Sequence, residues 1–224
     1  MFGGIYDMVN GGVEFPPHVI TGEPTDLAPQ IGSKGILEFI FTFKGVTTHS
    51  SRPIEGKSSN KNAVRFLSRM MDFEESLRER CYPLFDIPYT TMNIGIVEGG
   101  TSINKVPDKT TIYLDFRICD SAVEYPIIRA FVDEAIKDFD AEYVIINDVP
   151  SFANEGEKVS WYEDITGRKG TATTYITEAS FFKGDRIILG PGPDTSHQFD
   201  EHISEASLKR TAEVYLAAIK RECL

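Results

Sequence analysis

The stretch GILEFIFTFK, residues 35–44, decides the fold of this chain. Its apolar residues alternate and it is rich in residues that favour β-structure, so it predicts a strand. The next patterned stretch, NKNAVRFLSRMMDFEESLRER at residues 60–80, predicts an amphipathic helix, because apolar side chains recur at helical spacing opposite a charged face. That predicted apolar face comprises Ala63, Phe66, Leu67, Met70, Met71 and Leu77.

The pattern continues as far as residue 149. YTTMNIGIVEGG (89–100) and TTIYLDFRIC (110–119) predict two strands, YPIIRAFVDEAIKDF (125–139) predicts a second helix, and AEYVIIND (141–148) predicts a closing strand. The order strand, helix, strand, strand, helix, strand is typical of a ferredoxin-like α+β unit, a single sheet with both helices on one face. We therefore predict one domain over residues 35–149.

The flanking segments, residues 1–34 and 150–224, have a different organisation. PPHVITGEPTDL, TATTYI and RIILG predict short strands, TEASFF a short helix, and EASLKRTAEVYLAAIKREC a long final helix for which Ser204 is a plausible N-cap. On that last helix the predicted buried face is Leu208, Ala212, Tyr215, Leu216 and Ile219. Alternating strands and helices favour an open α/β sheet, so we predict an α/β domain interrupted by the α+β insertion.

Composition excludes several classes of partner. A net charge of −11 argues against nucleic acid, because a phosphate-binding surface needs excess Lys and Arg. No apolar run reaches transmembrane length, and MFGGIYDMVNGG lacks the features of a signal peptide, so no membrane partner is expected. Cys81, Cys119 and Cys223 are odd in number and widely spaced, which indicates neither a disulfide framework nor a cysteine zinc site. We expect a cytoplasmic protein.

Two segments contain candidate metal ligands. In ILGPGPDTSHQFDEHIS, residues 188–204, Gly190 and Gly192 permit close backbone approach, and His197 follows them. Glu23 follows another predicted strand, so Glu23 and His197 could reach one edge of a parallel sheet. Carboxylate and imidazole suit zinc, but two ligands are too few for a catalytic site. A solvated loop histidine is the alternative for His197.

Three other polar residues have structural or supporting roles as their expected functions. We expect His18 to be structural. Asp200 and Glu201 could orient His197, or could simply be acidic residues that precede a helix.

Five motifs occur along the chain in this order: VITGEPTDL, KGVTTHSSRP, NIGIVEGGTSINKVPDKTTIYLDFRI, TYITEASFF and LGPGPDTSHQFDEHIS. This order resembles that of the zinc-dependent aminoacylase and carboxypeptidase family. TEASFF and HSSRP are most similar to the acetylornithine deacetylase branch, an activity of amino-acid biosynthesis. The resemblance implies a catalytic α/β domain with two zinc ions, for which cobalt is a possible substitute. It also implies a ferredoxin-like lid that forms a homodimer, and a small N-acylated amino acid as substrate.

The resemblance also implies residue roles. Glu23 and His197 would be metal ligands, one for each ion. His49 would be catalytic, reaching the partner subunit's site to stabilise the oxyanion. The implied substrate-binding residues are Asn104, Arg117 and Glu178; an Arg matches a carboxylate in two hydrogen bonds. Without the resemblance, His49 would be a polar loop residue and Glu178 a helix-start carboxylate.

One departure from the family pattern limits these expectations. The family's H-x-D motif, a later Asp and a Glu-Glu pair containing the general base would all precede MFGGIYDM. We therefore expect a truncated, carboxyl-terminal form without a functional zinc pair and with impaired or no activity. Two classes of function stay open: a metallohydrolase that cleaves the amide of an N-acyl amino acid, and a non-catalytic dimerising fragment or one half of a split enzyme with a missing N-terminal half.

Overall fold

The computed structural model describes residues 3–193 and 195–223. The helices are α1 (Gly3–Asn10), α2 (Ser59–Leu77), α3 (Ser121–Ile136), α4 (Glu157–Thr166) and α5 (Glu205–Cys223), with short 3-10 helices at Pro53–Glu55 and Glu178–Phe181. The strands are β1 (His18–Thr21), β2 (Gln30–Ser33), β3 (Gly35–Lys44), β4 (Thr91–Gly99), β5 (Lys109–Ile118), β6 (Ala141–Val149), β7 (Phe152–Ala153), β8 (Thr171–Thr173) and β9 (Asp185–Ile188). This is the mixed helix-and-sheet content that the sequence predicts.

The chain divides into two compact units. Unit 2 consists of Gly35–Pro83 and Ile87–Ser151. Unit 1 consists of the described residues up to Lys34, the short segment Leu84–Asp86, and the described residues from Phe152 onward. Unit 1 is therefore discontinuous in sequence.

Unit 2 is a four-stranded antiparallel sheet with the order β4-β5-β3-β6. Alternate residues of its strands point to a core shared with α2 and α3, in which Phe39, Phe41 and Phe43 of β3 are fully buried. The other residues of each strand lie on the opposite face, which we call the open face. One row of paired residues crosses all four strands there: Ile96, Tyr113, Ile40 and Val144.

Helix α2 begins at Ser59 because the preceding residue, Ser58, is its N-cap. The hydroxyl of Ser58 accepts a hydrogen bond from the backbone N–H of Lys61 at 3.3 Å. The predicted apolar face is buried except for Met71, for which the prediction is wrong: Met71 is 47% exposed, and Phe73 is buried instead. Consecutive helical residues point about 100° apart, so Met71 leaves the face that Met70 occupies.

Helix α3 begins four residues before the predicted start at Tyr125. The carboxylate of Asp120 accepts from the backbone N–H groups of Ala122 and Val123 at 3.0 and 3.3 Å, which caps the first turn. Pro126 consequently lies inside the helix rather than at its start. The predicted start at Tyr125, directly before the proline, is wrong because the pattern did not reveal the acidic cap.

Unit 1 contains a mixed sheet with the order β1-β9-β2-β7, in which β8 also pairs with β2. β1 runs parallel to β9 and β2 parallel to β8, whereas β2 is antiparallel to both β7 and β9. Its core lies between this sheet and two helices, and includes Leu27, Ile31, Val159, Tyr162, Ile187, Leu189, Val214 and Ala218.

The cap of α5 is confirmed and its predicted buried face is wrong. The hydroxyl of Ser204 accepts from the backbone N–H of Ser207 at 3.1 Å. Of the five predicted core residues only Tyr215 is partly buried; the exposed ones are Leu208, Ala212, Leu216 and Ile219. Val214 and Ala218 pack into the core instead. The helix has two apolar faces, and periodicity does not tell which one meets the sheet.

No helix among the described residues is both long and apolar enough to cross a membrane.

Candidate functional site

Two parallel strands end side by side in unit 1. β1 and β9 pair from His18 opposite Asp185 to Thr21 opposite Ile188, so their carboxyl ends coincide. Glu23 follows β1, and the segment leading to His197 follows β9. Ligands commonly bind beyond the carboxyl ends of parallel strands. The register therefore directs both predicted metal ligands to one end of the sheet.

The Gly-Pro steps after β9 bring two loops into backbone contact. A Cβ added to Gly190 would lie 2.3 Å from the carbonyl oxygen of Glu23, and one added to Gly192 would lie 2.5 Å from Cα of Asp26. Only glycine fits at such distances. The backbone N–H of Gly190 also donates to the hydroxyl of Thr25 at 3.1 Å. The glycines thus hold the Glu23 turn against the loop that follows β9.

Glu23 and His197 line one cleft of about 500 Å³ in unit 1. Its lining also includes the carboxylate residue Glu201 and the apolar residue Ile203. In the described ranges, 3–193 and 195–223, no group of three or more His, Cys, Asp or Glu residues is arranged to hold a metal. The described residues therefore bring the two predicted ligands to one cleft without a third group arranged beside them.

The neighbouring loop residues differ in their surroundings. His197 is exposed and has a φ of 65°, in the left-handed region that non-glycine residues seldom adopt. The Nδ1 of His202 lies 2.6 Å from the carbonyl oxygen of Asp200, so this ring is tied to its own loop. His202 and Asp200 are not among the residues that line the cleft, whereas Glu201 is.

Glu178 is the first residue of the 3-10 helix Glu178–Phe181 and is exposed. The hydroxyl of Thr177 caps this helix by accepting from the backbone N–H of Ala179 at 3.2 Å. Glu178 does not line the cleft that contains Glu23 and His197. Its predicted role in substrate binding stays a prediction.

In unit 2 two loops place His49 and Asn104 together. The carbonyl of Asn104 accepts from the backbone N–H of Ser50 at 2.9 Å, and His49 forms an isolated antiparallel bridge with Lys105. The backbone N–H of Ser51 donates to Nδ1 of His49 at 3.2 Å. Since Nδ1 accepts, a neutral His49 ring carries its hydrogen on Nε2. The exposed imidazole can therefore donate a hydrogen bond.

Arg117 lies on β5, and its side chain is paired on the open face of the same sheet. Its Nε and Nη2 donate to Oδ2 of Asp115 at 3.0 and 2.9 Å. Burial raises the pKa of Asp115, the charge and hydrogen bonds of Arg117 oppose this shift, and Glu38 adds to it. Sequence reasoning missed Asp115, although the spacing of two residues within a strand puts both side chains on one face.

His18 belongs to an ion cluster at the opposite, amino-terminal end of β1. Its ring nitrogens lie 3.2 Å from Asp185 and 3.1 Å from Glu222. Lys158 contacts the same two carboxylates at 2.9 and 3.2 Å. The cluster joins β1 and β9 to α4 and α5, which fits the structural role expected for His18.

Unit 2 also contains a buried polar cluster that the sequence does not predict. The carboxylate of Glu124 is fully buried and accepts from the hydroxyl of Thr90 at 2.5 Å and from the backbone N–H of Asp120 at 3.2 Å. Burial first, and the nearby carboxylate of Glu124 second, raise the pKa of Tyr82 to about 12. Nothing in the local pattern distinguishes this Glu from an exposed helical one.

Known proteins resemble the chain over nearly its whole length. The acetylornithine deacetylase of Pectobacterium atrosepticum is 28% identical over 93% of this chain and 57% of that enzyme. The one from Proteus mirabilis is 28% identical over 100% of this chain and 61% of that enzyme. The chain thus spans about three fifths of the length of these curated relatives.

Solved structures share the fold. A tripeptidase from Staphylococcus aureus superposes with a TM-score of 0.72 at 21% identity, covering 95% of this chain and 58% of that one. An aminopeptidase from Bacillus cereus gives a TM-score of 0.71 at 19% identity, with coverage of 97% and 62%.

The family assignment follows from a domain match. Residues 31–143 match the family model described as the peptidase dimerisation domain. Together with the relatives above, this match confirms the resemblance predicted from the five motifs. Because the match spans half of the chain, this protein belongs to the peptidase dimerisation domain family.

Proposed function

We propose that this chain functions in a metal-dependent hydrolase of the acetylornithine deacetylase type, which cleaves the amide bond of an N-acyl amino acid. The observation that carries the proposal is the cleft of unit 1, where Glu23 and His197 meet. The acetylornithine deacetylases that align with the chain support the substrate class.

Among the described residues, the side chains of the cleft fit zinc in kind, but no three of them are arranged to hold the ion together. Carboxylate and imidazole are both ordinary zinc ligands, and Glu201 lines the same cleft. Zinc ions held at Glu23 and at His197, one at each residue, would supply Lewis acidity toward the scissile carbonyl. A catalytic zinc normally has three protein ligands, so we expect this chain alone to hold zinc weakly.

Three residues of unit 2 would supply groups that touch the substrate. His49 would donate its Nε2 hydrogen to the oxygen on which negative charge develops, a contribution worth about a hundredfold or more in turnover. Arg117 would bind the substrate's carboxylate, and Asn104, held beside His49, would add a polar contact. In the proposed homodimer His49 would act on the partner subunit's substrate.

We further infer that unit 2 is a ferredoxin-like lid. The strand order β4-β5-β3-β6 and the two helices on one face support this. The proposed domain limits are residues 35–149 for the lid, and residues 1–34 with 150–224 for the catalytic domain.

One observation favours a second function, a purely dimerising protein: the family match, residues 31–143, lies almost wholly within unit 2.

Zinc titration with matched variants tests the proposed site. Wild type should bind zinc weakly, and Glu23→Gln and His197→Ala should each weaken binding by about tenfold or more. His202→Ala is the control, because that imidazole lies in the same loop without lining the cleft. Equal loss in His202→Ala would contradict the proposed ligands.

Hydrolysis tests the reaction itself. With zinc added, turnover of N-acetyl-L-ornithine by the chain alone should stay far below the ~10 per second of a typical enzyme. Any turnover should be lost in His197→Ala. Turnover that survives that change would overturn the proposed chemistry, whereas a dimer without any zinc binding would favour the purely dimerising protein.

A further inference from the structure

The guanidinium of Arg117 is held from one side only. Both Nε–H and one Nη2–H point to a single oxygen, Oδ2 of Asp115, at 3.0 and 2.9 Å. Two hydrogen bonds to one oxygen fix both the plane of the guanidinium and its direction along the sheet. Because the residues are two apart on β5, no loop movement separates them.

The other edge of the guanidinium makes no hydrogen bond to Asp115. Asp115 does not use the Nη1 hydrogens or the second Nη2 hydrogen, and the Arg117 side chain is 35% exposed. Those hydrogens form the fork that matches a carboxylate in two parallel hydrogen bonds. The pairing with Asp115 therefore orients Arg117 without consuming its carboxylate-binding edge.

Stability alone does not account for this pair. Partly exposed ion pairs contribute at most about 1 kcal/mol. Burial of Asp115 also costs free energy, because its Oδ1 is buried and has no hydrogen-bond partner within the described part of the chain. Glu38 faces Asp115 across β3 and β5, and it accepts from Asn147 at 2.5 Å. Its charge therefore adds to the cost of ionising Asp115.

We propose that Asp115 is a positioning residue, which holds Arg117 on the open face so that its free edge receives the carboxylate of an N-acyl amino acid. The inference rests on the proposed function, in which Arg117 binds that carboxylate. It adds a residue that acts through Arg117 and does not itself touch the substrate.

The test combines a spectroscopic signature with a matched pair of ligands, using the full chain. Wild type should show a resolved Arg117 Nε–H NMR signal, assigned with Arg117→Lys, and Asp115→Asn should lose it. In chemical-shift titrations Asp115→Asn should bind N-acetyl-L-ornithine about tenfold more weakly. Binding of N-acetylputrescine, which lacks the carboxylate, should not change.

Two further variants guard against a trivial effect on folding. Asp148→Asn breaks a comparable pair with Arg129 in the same unit and should leave both affinities unchanged. Asp115→Glu retains the charge and should give intermediate affinity; it replaces Asp115→Asn if that variant does not fold.

The outcomes separate this inference from the proposed function. If Arg117→Ala abolishes selectivity for the carboxylate while Asp115→Asn retains wild-type affinity, Asp115 is not a positioning residue and the proposed function stands. If wild type does not prefer N-acetyl-L-ornithine over N-acetylputrescine, the inference is overturned. The zinc and hydrolysis experiments would still decide the deacylase proposal independently.

Discussion

Gly190 is the residue on which the cleft of unit 1 depends most directly. We predict that Gly190→Ala destabilises the protein by about 1–3 kcal/mol, because its Cβ would lie 2.3 Å from the carbonyl oxygen of Glu23 and one backbone must move. Thermal or urea unfolding measures this. Gly4→Ala is the control: nothing lies within 4 Å of that Cβ, and alanine favours the helix. Equal melting temperatures for the two variants would contradict the packing argument.

Asp185 gives unit 1 a defined pH dependence. The hydrogen bond from Lys158, followed by the charges of Lys158 and His18, lowers the pKa of Asp185 from its usual 3.8. An acid whose pKa is lower when folded stabilises the native state above its unfolded pKa and loses that contribution as the pH falls through the folded pKa. Asp185→Asn should therefore be less stable than wild type near neutral pH, by less than about 1 kcal/mol because the side chain is 52% exposed.

Melting curves from about pH 7 down to about pH 2 check this prediction. The difference between wild type and Asp185→Asn should shrink below pH 3.8, the usual pKa of the group. A difference that is constant over the whole range would show that the neutral side chain packs equally badly at every pH, and that charge is not the cause.

At the residue scale, the sequence predicted the candidate side chains but not the neighbouring side chains that position them. Glu23 and His197 were predictable because each follows a short strand, and parallel strands end together. Asp115 was missed because its role depends on a neighbour's side-chain geometry. Cross-strand neighbours, such as Glu38 opposite Asp115, depend on register, which local patterns do not specify.

At the scale of elements, β4 is the edge strand that we expect to form the dimer. The family match contains all of β4 but ends inside β6, the other edge. Apolar exposure does not distinguish the two edges, because β4 exposes Ile96 and Val97 at 45% and 50% and β6 exposes Val144 and Ile146 at 56% and 47%. Val97→Asp should weaken dimerisation by about tenfold or more, because a charge is buried at the interface.

Light scattering across a dilution series measures this, with Val144→Asp on β6 as the matched control. Dissociation by the change on β6, with no effect of the change on β4, would assign the interface to the opposite edge.

Helices show where element-level prediction succeeds and fails. The existence and approximate length of α2 and α5 followed from periodicity, and for α5 also from the predicted cap at Ser204. The buried face of α5 did not, because Leu208 and Val214 lie on two apolar faces of one helix. The start of α3 was missed because Asp120 caps it ahead of Pro126. Periodicity finds a helix; the partner it packs on decides its face.

For the whole molecule, we predict that residues 35–149 fold and dimerise without the rest of the chain. Unit 2 has its own buried core, with three fully buried phenylalanines on β3. Light scattering and near-ultraviolet circular dichroism of that segment measure the outcome. A monomer at high concentration would contradict the predicted dimer, and a lack of near-ultraviolet signal would show that the unit needs the flanking segments.

The discontinuity of unit 1 has a consequence for the timing of biosynthesis. Thr25 and Gly190, which join the two loops of the cleft, are separated by 165 residues. Every residue of unit 2 is synthesised between them, so we expect unit 2 to fold before β9 is available to pair with β1. Glu23 can then meet His197 only after all of unit 2 has been synthesised, so we expect the cleft to form later than the core of unit 2.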